Sequence, residues 1–112
     1  MKKAEQARVN EIVNKYFNDA VDQLPLEARS YLNAKQMKKA GAKRLRSCSA
    51  YVWETPDYYM LQSYNTFVAC INKANKITYD NLENEYGRTH TSCMHIAKFA
   101  NDYGNGNKMI AR

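Results

Sequence analysis

Apolar residues fall at Val9, Ile12, Val13, Tyr16, Phe17, Ala20, Val21 and Leu24, the i, i+3, i+4 spacing that lines one face of an amphipathic helix. The intervening Glu11, Asn14, Lys15, Asn18 and Asp22 are polar, so the helix is expected to lie stripe-down on a core. Pro25 ends it and suits the first turn of a second helix starting near Leu26. That helix carries Ala28, Tyr31, Leu32, Ala34 and Met37 on a narrow apolar face, and Gly41 either ends it or loosens its run toward Leu45. Residues 1–47 are thus predicted to form a helical hairpin.

From Ala50 the pattern turns to alternation and to aromatic residues, which favour strands. Tyr51 to Trp53 reads as a short strand ended by Pro56, and Tyr58 to Tyr64 as a second. Alternation sends Tyr58, Met60 and Gln62 to one face and Tyr59, Leu61 and Ser63 to the other. A tight connection leads to Phe67–Asn72, where Phe67, Ala69 and Ile71 are expected on one side and Val68 and Cys70 on the other. With both faces apolar, this strand should be central. Lys73 to Lys76 form a polar turn before a last short strand at Ile77 to Tyr79. After a polar stretch over residues 81–86, a helix capped by Thr91 or Ser92 carries Cys93, Ile96, Ala97 and Ala100 at helical spacing and stops at Gly104. The expected architecture is an α+β fold. It comprises an N-terminal helical hairpin (1–47), a small three-stranded antiparallel sheet with one C-terminal helix packed on it (48–104), and a flexible tail (105–112).

Charge changes this picture in one place. Lys35, Lys38, Lys39, Lys43, Arg44 and Arg46 follow one another with no acid among them. Residues 1–47 hold 11 basic and 5 acidic side chains, whereas residues 48–112 hold 6 of each, so the net +6 of the chain is local to the first segment. A concentrated positive field points to an anionic partner, a nucleic acid or a protein that carries one. Tyr51 and Trp53 directly follow the run and offer rings that can stack on unpaired bases. The candidate partner-binding set is therefore Lys35, Lys38, Lys39, Lys43, Arg44, Arg46, Tyr51 and Trp53. Against it stands the plainer reading of a solvated lysine-rich surface with core aromatics.

Other chemistry is sparse. The 112 residues fit one domain with one modest core. Cys48, Cys70 and Cys93 are an odd count at wide spacing, which reads as reduced thiols. Cys93 with His90 and His95, and Cys70 added, is the only candidate metal cluster, and no Cys-x-x-Cys or His-x-x-x-His pair supports it. Neither histidine belongs to a convergent titratable set, and no phosphate-binding glycine loop is present, so no enzyme and no cofactor is expected. No apolar run approaches the length of a membrane span, and the first residues lack the apolar core of a signal peptide. An intracellular, cytoplasmic location is expected.

Two stretches resemble a known domain. Leu61 to Ala69, with its Ser63-Tyr64-Asn65-Thr66 hairpin, and Tyr86 to Phe99, with the His95-Ile96 pair, resemble a small uncharacterised domain common in phages and mobile elements of Gram-positive bacteria. The chain departs from that pattern by an extra residue before His95 and by Gly87 in place of the usual serine after Tyr86. The resemblance spans roughly residues 58–103 and implies a phage-type protein that binds and disables host machinery. The expected function is a non-enzymatic inhibitor of a host nucleic-acid-handling complex, most concretely an anti-CRISPR protein whose basic region engages a CRISPR effector or its guide RNA. A free-standing DNA- or RNA-binding accessory protein of a phage or plasmid is the alternative, and a homodimer formed through the first helix is a third reading.

Overall fold

A computed structural model describes residues 2–112 and gives one sheet with helices on both faces. Helix α1 spans Lys3–Gln23, and its predicted stripe is the buried one, with Val13, Phe17 and Ala20 against the sheet. Leu24, just before Pro25, is extended, as a residue preceding proline must be, and the helix ends there. The second helix of the expected hairpin does not form as one arm. Leu26–Arg29 make a single 3-10 turn, the chain then runs extended to Asn33, and only Ala34–Lys39 are helical (α2). The cause is local: Asn33 accepts from the Gln36 backbone while the Gln36 side chain accepts from that of Asn33, a capping box that starts a new helix at Ala34. Gly41, at φ +107°, ends α2.

The expected three-stranded antiparallel sheet with one helix is corrected to a six-stranded mixed sheet with four helices. Its strands β1 (Lys43–Arg44), β2 (Ala50–Glu54), β3 (Tyr58–Ser63), β4 (Thr66–Asn72), β5 (Thr78–Asp80) and β6 (Lys108–Ile110) lie side by side in chain order. All neighbours are antiparallel except β5 and β6, which run parallel. A parallel pair needs a crossover, and it is built from a short α3 (Leu82–Glu85) in the stretch read as merely polar and from α4 (His90–Tyr103). Thr89, two or three residues earlier than expected, caps α4 by accepting from the Ser92 backbone. The stretch read as a flexible tail supplies β6, and Ala111 is fully buried. Gln6 donates its side-chain amide to the Ile110 carbonyl, and Asn10 pairs with the Arg112 backbone, so α1 covers part of the β6 edge.

The sheet separates two cores. On the α1 face lie Tyr51, Trp53, Tyr58, Met60, Cys70 and Tyr79 with Val13, Phe17, Ala20 and Leu24. On the α4 face lie Val52, Leu61, Val68, Ala69 and Ile71 with Leu82, Ile96 and Phe99. The alternation predicted for β3 holds. That for β4 fails at one point, because the pairing steps from Leu61–Ala69 to Gln62–Phe67 and leaves Val68 as a bulge. Val68 and Ala69 therefore both face α4, and Phe67 turns to the α1 side beside Gln62.

Candidate nucleic-acid interface

The six cations of the run are all exposed, but the fold does not place them on one helical arm. Lys35, Lys38 and Lys39 ride on α2, whereas Lys43 and Arg44 form the two-residue edge strand β1. Two of the six are engaged locally. Arg44 donates through Nε to the Cys48 carbonyl at 2.9 Å and through Nη2 to that of Ser47, which pins the β1–β2 loop. Arg46 forms a two-pronged pair with Asp102 at 2.7 and 2.8 Å, tying that loop to α4 and raising the guanidinium pKa through that hydrogen bond. Lys35, Lys38, Lys39 and Lys43 have no ion-pair partner among the described residues.

The aromatic half of the expected set is not at the surface. Trp53 is 2% exposed and donates its indole N–H to Gln62 Oε1 at 2.9 Å, and Tyr51 lies in the same core. Both follow strand alternation to the α1 face, where the helix covers them. The most exposed ring among the described residues is Tyr31, 80% exposed and four positions before Lys35 in the chain, with Leu26 also exposed. Sequence reasoning placed Tyr31 on an apolar helix face. The signal it missed was Asn33-x-x-Gln36, which marks a fresh helix start and leaves residues 30–33 as an extended strap.

The strap borders a groove of about 330 Å³, lined by Leu24, Arg29, Tyr31, Gln62, Asn65 and Phe67 among others. A second, shallower depression of about 550 Å³ is lined by Glu27, Leu32, Gln36, Lys39 and Ala40. Leu32 borders both, so the two adjoin, and Lys39 of α2 lines the second. Arg29 donates to the Val21 and Asp22 carbonyls at the end of α1, and no carboxylate pairs with it among the described residues.

The opposite face holds a closed polar cluster. Ser63 Oγ lies 2.8 Å from His95 Nδ1 and 3.1 Å from Ser92 Oγ, with all three residues buried. Burial, reinforced by the Lys98 ammonium, holds the His95 pKa below its ordinary value. Tyr64, at φ +54° in the β3–β4 turn, sets its ring 5.8 Å from that of His95, and its backbone donates to the Ser49 carbonyl. The Ser-Tyr-Asn-Thr hairpin and the His-Ile helix therefore meet in space. The four candidate metal ligands do not gather, since Cys70 lies in the α1-side core and His95 on the α4 side. No helix among the described residues is long and apolar enough to cross a membrane.

Compared with known protein families, curated proteins and solved structures, the chain matches none.

Proposed function

We propose that this protein is a non-enzymatic binding protein that docks on the phosphates of a nucleic acid, free or held in a host nucleoprotein. Lys35, Lys38, Lys39 and Lys43 make the contact. The observation that carries the reading is that these four exposed ammonium groups are gathered on one short stretch, α2 and β1, with no carboxylate partner among the described residues, whereas Arg46, Lys73 and Arg88 are paired with Asp102, Glu54 and Asp80. Lysines act on phosphate as compact point charges and position a strand without reading its sequence. In the phage setting that the resemblance implies, the most concrete form is an anti-CRISPR protein that competes for guide-RNA phosphates on a CRISPR effector. The exposed ring of Tyr31, four positions before Lys35 in the chain, favours a second form, a free-standing single-strand-binding accessory protein.

The test is charge reversal of the four lysines to Glu. Because all four are exposed, the variant should keep the native circular dichroism and melting cooperativity. Binding to single-stranded RNA or DNA should be lost. The wild-type affinity should fall with salt on a log–log slope of about 3, at about 0.7 per phosphate contact. Binding that survives the reversal would mean that the run is a solubilising face. A pull-down from a CRISPR-bearing host that recovers neither effector nor guide RNA removes the anti-CRISPR form and leaves the accessory form standing.

A further inference from the structure

We propose that the groove beneath Tyr31 is a site for one unpaired keto-bearing base, uracil or thymine first, of a strand whose phosphates run onto Arg29 and the α2 lysines. The inference rests on the nucleic-acid reading above and deepens it. Its basis is Gln62. This side chain is 6% exposed, and its Oε1 is taken by the Trp53 indole, a group that can only donate. The orientation of the amide is thereby fixed, and Nε2 is the end left over.

Nε2 has no hydrogen-bond partner among the described residues, and the only fully enclosed side-chain polar atom without one is Thr78 Oγ1. The free Gln62 donor is therefore reached from the groove that Gln62 lines. An incoming carbonyl oxygen can pair with this donor, whose direction the Trp53 bond already sets. The bulge at Val68 adds a second device. It turns Phe67 to the same face as Gln62, so an aromatic ring forms one wall while Tyr31 stands exposed at the rim. Two rings, a fixed donor and about 330 Å³ of room suit a planar base with a keto oxygen. Adenine offers the donor only a ring nitrogen, and its two-point contact with a Gln amide needs the Oε1 that Trp53 already occupies, so it fits less well. The Asn65 amide in the hairpin turn can supply an acceptor to the ring N–H of uracil or thymine. Charge selects a strand over a peptide here, because Arg29 lines the groove, Lys39 lines the adjoining depression, and Glu27 is the only acid lining either.

Trp53 is the only tryptophan and touches Gln62, so its emission reports the occupant directly. The experiment titrates the intact protein with single strands of equal length and charge made of thymidine, adenosine or abasic units. The thymidine strand should shift Trp53 emission and bind at least about fivefold tighter than the abasic strand, the lower end of what one stacked base contributes. Tyr31→Ala should remove that advantage while leaving abasic binding intact. Gln62→Glu, which keeps an acceptor for Trp53 but loses the donor, should erase the preference of thymidine over adenosine. Equal binding of thymidine and abasic strands, both abolished by reversal of the four lysines, overturns the base site and leaves the proposed function standing. No binding to any strand overturns both.

Discussion

Gln62 and Ser63 are consecutive residues of β3, both nearly buried and pointing to opposite faces of the sheet, yet their polar atoms end in different states. Ser63 is enclosed under α4, where Ser92 and His95 both engage its hydroxyl. Gln62 is satisfied at one end by Trp53 and open at the other. The difference follows from what covers each face. A regular helix of 14 residues closes the α4 side. On the α1 side the helix ends at Leu24, and a 3-10 turn at Leu26–Arg29 followed by the extended strap of residues 30–33 borders the groove instead of closing it. A polar side chain that is fully paired under a continuous helix stabilises the fold, whereas the one left half-paired beside the strap is the feature on which the proposed base site rests.

The largest test of this contrast is Phe99→Ala. Phe99 is fully buried in the α4-side core, and its truncation should cost about 3–5 kcal/mol in urea unfolding. A cost near 1 kcal/mol would mean that α4 is loosely seated and that its face is not the closed one. Next in size is Ser63→Ala, which strips a partner from buried His95 and Ser92 and should cost about 1–3 kcal/mol. A neutral result would erase the distinction drawn between the two neighbours.

How much of this contrast was legible in the sequence depends on the range of the interaction that decides each element. The α1 stripe and the β3 alternation are set within a few residues, and the fold keeps both. The register of Phe67 is not local, because it depends on which residue of β3 it pairs with, and the Val68 bulge has no marker in the run Phe67 to Asn72. Strands β1 and β6 are two and three residues long and exist because a neighbouring strand offers them an edge. Lys43 and Arg44 look like a charge run until β2 pairs with them. The cationic segment was visible from charge alone, whereas the pairing of Arg46 with Asp102, 56 residues away, was not. Trp53 was open in sequence to both a stacking and a core role, and it is buried here, because alternation gives the face but not what covers it.

The closed face should also respond to pH. Burial, with help from Lys98, lowers the His95 pKa from the ordinary 6.5, so the unfolded chain takes up the proton first. Stability is then complete above pH 6.5 and is lost as pH falls from 6.5 toward the lower folded value. Urea midpoints measured from about pH 8 down to about pH 5, above the ordinary carboxylate range, should decline in wild type and stay flatter in His95→Gln. A wild-type profile as flat as that of the variant would show that water reaches His95 and that its face is open.

The smallest expected effect sits on the open face. Tyr31 is 80% exposed, so Tyr31→Ala should change stability by no more than about 0.5 kcal/mol. That near-zero value is informative only beside a second measurement. If the ring merely decorates the strap, strand binding is as indifferent to the change as stability is. If the ring is one wall of a base site, affinity for a thymidine strand falls while the melting temperature does not move. A substantial loss of stability would instead make Tyr31 part of the cover over Gln62, and the two faces of the sheet would then be closed alike.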